Sequence, residues 1–231
     1  MERLSILSRS KVIILSVCNC CKLVEIQGLS LESFSIIEMF GCYSLSSDFK
    51  TSLLQCPSTK CAAQLRLLSL PGSEVPNWFS HQRTGSSITF HVPSPSEGEI
   101  RVLPICAVYA SKKESHLRWT KNHVIIYNKT RGYGHVLLPE EFDFPVNNSD
   151  NLFLVQTHLI GNNLEMVPAP ERKLEMVSGE EIEISFELWS SIEVKKCGVH
   201  LLVDKPNAHK LPISDLQEKI ELVKLMNSEL V

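Results

Sequence analysis

A period of 22 residues constrains the N-terminal part of this chain more than any other feature. Starting at Val12, apolar or buryable side chains stand at Val12, Leu15, Val17, Cys20, Leu23, Ile26 and Leu29. Adding 22 to the first five positions gives Phe34, Ile37, Met39, Cys42 and Leu45. Every apolar position falls on an apolar residue, and cysteine falls on cysteine. Two apolar residues separated by one make a short strand that turns both side chains the same way. Such a unit cannot bury its apolar face alone and must stack on a neighbour.

The frame reads L-x-x-L-x-L-x-x-C-x-x-L, the leucine-rich-repeat pattern with its Asn/Cys position filled by cysteine. Two clear units are present, whereas a stable stack needs about three. Residues 1–47 are therefore expected to be a stub, the end of a longer array. Cys18 and Cys21 form a C-x-x-C, but a zinc site needs two further ligands at suitable spacing, and the repeat frame already occupies Cys20 and Cys42. Cys56, Cys61, Cys106 and Cys197 lie far apart. Small secreted scaffolds space cysteines more densely, so a reducing compartment is expected. Arg3, Arg9 and Lys11 precede the apolar run from Val12 to Leu15. That run is short for a signal peptide and no small-x-small cleavage site follows it. No apolar stretch approaches the ~20 residues of a membrane-spanning helix.

From Asp48 to Gln64 the pattern dissolves, and Pro57-Ser58-Thr59-Lys60 is turn chemistry. Residues 48–66 are expected to be a linker. Strand signals dominate afterwards. Ser87 to Val92 alternates with period two. Ile100 to Tyr109 reads as a buried strand whose Pro104 predicts a bulge or an edge. Val124 to Tyr127, Leu152 to Ile160, Ile182 to Leu188 and Gly198 to Val203 complete the set. Turn clusters at 93–98, 132–134, 147–150 and 178–179 separate them. Short strands at this spacing predict a β-sandwich or jelly roll over residues 67–204. Beyond it, Ser214-x-x-Gln217 resembles a capping box, and Leu216, Ile220, Val223 and Leu230 follow near-helical spacing. Residues 205–231 are expected to be a tail with an amphipathic helix.

Net charge is −3, and the basic residues are scattered. A duplex binder usually carries a basic stripe, so nucleic acid is not an expected partner. The chain contains no G-x-S-x-G elbow, H-E-x-x-H or dinucleotide fingerprint. Its eight histidines are isolated from one another in sequence. A Cys-His pair, for example Cys106 with His123, would supply a nucleophile and a base, although a core cysteine is the commoner case. No catalytic residue, cofactor or metal is assigned. Asn128-Lys129-Thr130 and Asn147-Asn148-Ser149 are glycosylation sequons, meaningful only in a secreted chain.

The most specific string runs Leu70-Pro71-Gly72-Ser73-Glu74-Val75-Pro76-Asn77-Trp78-Phe79-Ser80-His81-Gln82, followed by Gly85-Ser86-Ser87-Ile88. It resembles the start of the post-repeat domain of plant TIR-type nucleotide-binding leucine-rich-repeat disease resistance proteins, which reads P-G-x-x-I-P-x-W-F-x-x-Q-x-x-G-S-S-I. Ile105 to Tyr109 looks like that family's core strand, and Val194 to Val203 like its closing strand. The resemblance spans most of residues 12–204. It implies a C-terminal jelly-roll or immunoglobulin-like module preceded by repeats. Val75 replaces the usual isoleucine. Gly98-Glu99-Ile100-Arg101 stands where many members carry a tryptophan-containing loop and a Gly-Phe pair. No phosphate loop occurs, because none of the ten glycines precedes a lysine. Activities of the family's nucleotide switch and TIR domain therefore cannot be assigned to these residues.

Read from the residues, Pro71-Gly72 is a turn, Pro76 holds the residue before it extended, and Trp78 and Phe79 supply a large apolar contact. Pro71, Gly72, Pro76, Trp78, Phe79, Gly85 and Ser86 are expected to build the structure rather than to bind. The resemblance implies that the repeat surface and the sandwich loops contact a pathogen effector, and that this contact releases a nucleotide-binding core. This chain would then supply the sensing half in the cytoplasm or nucleus, or act as a decoy or adaptor alongside a nucleotide-binding immune receptor. Recognition on rigid scaffolds is carried by loops. Arg118 and Trp119, Arg131 and Tyr133, and Glu38 and Phe40 beside the repeat strands are the candidate contacts. The other expectation is a standalone jelly roll binding carbohydrate or peptide.

Overall fold

The computed structural model describes residues 3–5, 14–29, 31, 34–56, 67–94, 99–111, 123–137, 149–158, 176–188 and 191–204. The candidate contacts Arg118 and Trp119, the sequon at Asn147 and the tail 205–231 lie outside the described residues.

The 22-residue period becomes a strand register. Strands β1 (Arg3–Ser5) and β2 (Ile14–Ser16) are followed by β3 (Glu25–Gln27) and β4 (Ile36–Glu38). β1 pairs with β3 in parallel, Arg3 opposite Glu25. β2 pairs with β4 in parallel, Ile14 opposite Ile36 and Ser16 opposite Glu38. Both pairings carry an offset of 22 residues. The stacking continues past the strands: the Val17 amide donates to the Glu38 carbonyl at 2.9 Å, Asn19 to Phe40 at 2.8 Å, and Ser46 to Val24 at 2.9 Å. In the second unit Phe34, Ile37, Met39, Cys42 and Leu45 are buried, as the frame requires, whereas in the first Leu15 and Val17 are half-buried and Cys20 is exposed.

A seven-residue helix, α1 (Ser47–Leu53), follows inside the stretch expected to be linker. Ser46 caps it, its hydroxyl accepting from the Phe49 amide, and Asp48 sits favourably in the first turn. Leu53 is buried, so packing rather than helical periodicity sustains so short a helix.

The next strand, β5 (Leu67–Pro71), joins the two halves of the chain. It pairs in parallel with β4, Ile37 opposite Leu68, and antiparallel with β11 (Asn151–His158). Between these come β6 (His81–Thr84), β7 (Ser87–His91), β8 (Glu99–Ser111), β9 (His123–Asn128) and β10 (Tyr133–Val136); β12 (Glu181–Glu187), β13 (Ile192–Val199) and β14 (Leu202–Asp204) follow. The larger sheet runs β2-β4-β5-β11-β8-β13-β6, with β14 also on β8, and the smaller runs β10-β9-β12-β7. The smaller sheet shows the alternation expected of a strand with one wet face. Its inward residues Ile88, Phe90, Val124, Ile126, Ile182 and Ile184 pack on Leu103, Ile105, Ala107, Tyr109 and Phe153 of the larger sheet.

The larger sheet is covered on its other face too. Leu68, Leu70, Cys106, Val108, Leu152 and Leu154 form a second core with Ile37, Met39, Val75, Phe79 and Leu53. Residues 102–111 of β8 are accordingly buried without alternation. Pro104 is not at an edge, since β8 pairs with β11 on one side and with β13 and β14 on the other. Proline lacks an amide proton, and the neighbour breaks beside it. β13 ends with Val199 opposite Ile105, β14 begins with Leu202 opposite Val102, and His200 donates to the Pro104 carbonyl at 3.0 Å. The turn expected at 132–134 is also revised. Only the turn ending at Gly132 remains, and Tyr133 and Gly134 begin β10, paired with Asn128 and Tyr127.

Candidate functional site

The segment that carries the resemblance crosses the outer face of the larger sheet. Pro71 ends β5 and is buried. Gly72 donates to the Asp150 carbonyl at 3.2 Å, and a Cβ there would stand 3.3 Å from that of Leu152. Val75 and Phe79 are buried against the sheet. The Pro76 carbonyl accepts from the Phe79 amide at 3.1 Å and from Gln82 Nε2 at 3.3 Å, closing the turn. Val75 and Phe79 need Gly198 beneath them: a Cβ there would lie 2.6 Å from Val75 Cγ1 and 3.1 Å from Phe79 Cδ1. Trp78 stacks on Phe79 with centroids 4.1 Å apart and meets His200 edge-on at 5.4 Å. Its indole N–H donates to the Leu54 carbonyl at 2.7 Å, at the C-cap of α1. Burial, then the neighbouring His81, lowers the pKa of His200, whose Nδ1 lies 3.2 Å from Ser80 Oγ. Gly85 turns the chain with φ +98°, and the Ser86 carbonyl accepts from Phe186 at 2.8 Å.

Arg131 and Tyr133 occupy the β9–β10 hairpin, where the arginine is held within the molecule. Arg131 Nε donates to Glu180, and its amide donates to Asn128 Oδ1 at 2.9 Å. Asn128 Nδ2 donates to Glu180 Oε2 at 2.9 Å, and the Val177 amide reaches the same oxygen at 2.8 Å. Burial alone would raise the Glu180 pKa. Three hydrogen bonds, from Val177, Arg131 and Asn128, together with the guanidinium charge, outweigh burial and hold the carboxyl below its usual value. Asn128 is fully buried, which closes that sequon to a glycan. Tyr133 meets His135 edge-on at 5.5 Å.

Glu38 and Phe40 sit where the parallel strands meet the sandwich. Glu38 is opposite Ser69, and Ser69 is opposite Phe153. Residues paired in register share a sheet face, so Glu38 lies on the face that carries the sandwich core. Ile36, on the same face, packs against that core. Burial drives the Tyr109 phenol far above its usual pKa, and Cys18, Tyr43 and Glu38 are the charged or ionisable groups that push it in the same direction. Phe40 is half-buried, and its carbonyl takes the Asn19 amide. Glu38 and Phe40, both half-buried where β4 meets β5, are together called the ledge.

Cys106 belongs to the outer core, whereas β9, which carries His123, lies across the other face of the larger sheet. The structure does not bring this pair together. Among the described residues no three His, Cys, Asp or Glu side chains are placed to hold a metal ion. None of the described helices is long and apolar enough to cross a membrane. The acidic doublet Glu180-Glu181 beside a turn predicts two solvated carboxylates, but Glu180 is buried because Asn128, Arg131 and Val177 donate to it; Tyr127 carries no site signal of its own in the sequence. Tyr127 is 40% exposed and lies over Gly134, where a Cβ would come within 3.0 Å of its ring. The Tyr127…Gly134 spacing across a tight hairpin was the available signal.

Comparison with known proteins agrees with this architecture. The C-JID domain family matches residues 70–207, beginning at the leucine that opens the motif segment. Over 137 residues the chain is 31% identical to a putative disease resistance protein of Arabidopsis thaliana, a match covering 58% of this chain and 12% of that protein. The chain thus spans only a small part of that relative's length. With the motif lying across the larger sheet, and more than half its length within the family match, the chain belongs to the C-JID domain family and is similar over that stretch to a plant disease resistance protein.

Proposed function

We propose that this chain is a non-catalytic recognition region of an intracellular plant immune receptor, and that it contacts a pathogen effector through the ledge at Glu38 and the loops of the sandwich. Residues 1–47 act as the last turns of a leucine-rich-repeat array, and residues 67–204 as a jelly-roll or immunoglobulin-like module. The observation that supports this most is the parallel pairing of β4 with β5, which continues the stacked strands into the sandwich sheet without a break. A surface that spans both parts is then presented in fixed geometry, as a receptor site requires. Pro71, Gly72, Pro76, Trp78, Phe79, Gly85 and Ser86 build that geometry. Arg131, engaged with Glu180, shapes a hairpin whose Tyr133 serves contact. Effector engagement would be relayed to a nucleotide-binding core outside these residues. The test is co-immunoprecipitation of the full chain with a panel of secreted pathogen proteins, comparing wild type with Glu38→Arg. Capture of a panel member that the substitution abolishes, with unchanged thermal stability, supports the reading; a panel captured equally by both chains contradicts the ledge.

A second reading, a jelly roll that binds carbohydrate, is favoured by Tyr127. Its exposed ring lies on the outer face of the smaller sheet in register with Glu183, which in turn is opposite Thr89. A flat ring beside a carboxylate and a hydroxyl suits a sugar. Saturable glycan binding lost in Tyr127→Ala, with no protein partner, would favour it over effector contact.

A further inference from the structure

From the stacking of the two 22-residue turns we infer that Cys20 and Cys42 are a redox pair, joined by a disulfide when the protein meets a peroxide and separated again by thiol reductants. The inference stands on the register and does not depend on the recognition role. Main-chain stacking brackets both cysteines: Asn19 donates to Phe40 before them, and Ser46 to Val24 after them, with Ser44 Oγ reaching the Cys21 carbonyl at 2.5 Å between. Each contact links residues close to 22 apart, which sets Cys20 over Cys42 by register, and the Cys42 thiol also reaches the Cys20 main chain. Stacked parallel chains run ~4.8 Å apart. A disulfide accepts Cα separations of about 4.4–6.8 Å, so the pair can close without moving the backbone far.

The two thiols differ in exposure, which sets the order of the steps. Cys20 is exposed and meets the oxidant. Cys42 is fully buried and donates to the Val17 carbonyl at 2.9 Å; burial pushes its thiol up to about 11, against a main-chain hydrogen bond at Cys20 that pulls the other way. It is therefore protected from direct attack and acts second. In the first step Cys20 sulfur attacks one peroxide oxygen, the O–O bond breaks, and water leaves as Cys20 becomes a sulfenic acid. In the second step Cys42 sulfur attacks the Cys20 sulfur, the S–O bond breaks, and the hydroxyl leaves as water with the Cys42 proton. Overall two thiols and one hydrogen peroxide give one disulfide and two waters. Cys18 and Cys21 flank the pair, but Cys18 shares a hydrogen bond with Ser16 and points its sulfur at the Glu38 carbonyl, and Cys21 points back at Asn19.

The bond would pin the first turn onto the second, closing a loop of about 22 residues and raising the stability of the stacked segment. To test this, the full chain is treated with hydrogen peroxide, alkylated, and digested without reduction. A cross-linked peptide pair carrying Cys20 and Cys42 is expected, with a rise in melting temperature that dithiothreitol reverses. Cys20→Ser, at an exposed position, should fold normally and show neither. A peroxide dose that converts Cys20 to sulfinic acid while Cys42 stays alkylatable after unfolding would overturn the inference. So would a cross-link from Cys42 to Cys18 or Cys21 in place of Cys20.

Discussion

The indole N–H of Trp78 donates to the carbonyl of Leu54 at 2.7 Å, joining the segment that crosses the sandwich to the end of the short helix that leaves the stacked strands. One side chain thus satisfies a helix-terminal carbonyl on one element while stacking on Phe79 of the other. Trp78→Ala loses both, and a half-buried tryptophan belongs near the lower end of the large-to-small range, about 3 kcal/mol. Trp78→Phe keeps a ring against Phe79 but gives up the hydrogen bond and part of the indole contact, about 1–2 kcal/mol. Urea unfolding of the three chains measures the two steps.

Gly198 is a packing requirement. Its replacement by alanine forces a methyl group into Val75 and Phe79 and should cost ~1–3 kcal/mol. Val75→Ala removes the nearest atom. The double variant is expected to be less destabilised than the sum of the single ones, with the coupling read from a double-mutant cycle of thermal melts.

Glu180 sets an acid limit on stability. Its folded pKa lies below the unfolded value of 4.5, so the unfolded chain binds the proton more readily. The contribution is complete above about pH 4.5 and declines as pH falls through the lower, folded value. Glu180→Gln should cost ~1–3 kcal/mol at neutral pH and flatten the fall of stability below pH 4.5. Chemical denaturation at a series of pH values shows whether the two curves converge on acidification, as expected.

Gly85 carries φ +98° at the turn between β6 and β7, with open space where a side chain would go. Gly85→Ala is therefore strained by its backbone alone, at ~1–2 kcal/mol, while Gly85→Asn should cost less because asparagine tolerates positive φ. Comparing the two melting temperatures separates backbone strain from crowding.

What the sequence made legible followed from periodicity. The 22-residue repeat became a parallel register at Ile14 and Ile36, and alternation in β7 and β12 became one buried and one exposed face. Elements that depend on tertiary partners were not legible. Helix α1 is seven residues long and held by buried Leu53, so it carries too few turns to show a period. β10 hides behind two glycines, because Gly134 is needed to admit the Tyr127 ring and not to turn the chain. Pro104 reads as a bulge or an edge when only its own strand is considered; the break lies in the partner between Val199 and Leu202. At the candidate site, Arg131 looked available to a partner because its carboxylate lies 49 residues away in the chain. Glu38 and Phe40 are marked in the sequence only by flanking a repeat strand, and their junction with the sandwich required β5.

Native-state hydrogen exchange on the full chain tests most directly whether the stacked strands and the sandwich are joined through β5 into one sheet. The amides of Ile37 and Met39 in the stacked segment and of Leu68 and Leu70 in β5 should share one high protection level. Phe34→Ala should lower them together, along with Leu152 and Leu154 of β11, because all belong to one core. Fast exchange confined to residues 14–56, with the sandwich amides unmoved by Phe34→Ala, would contradict the account.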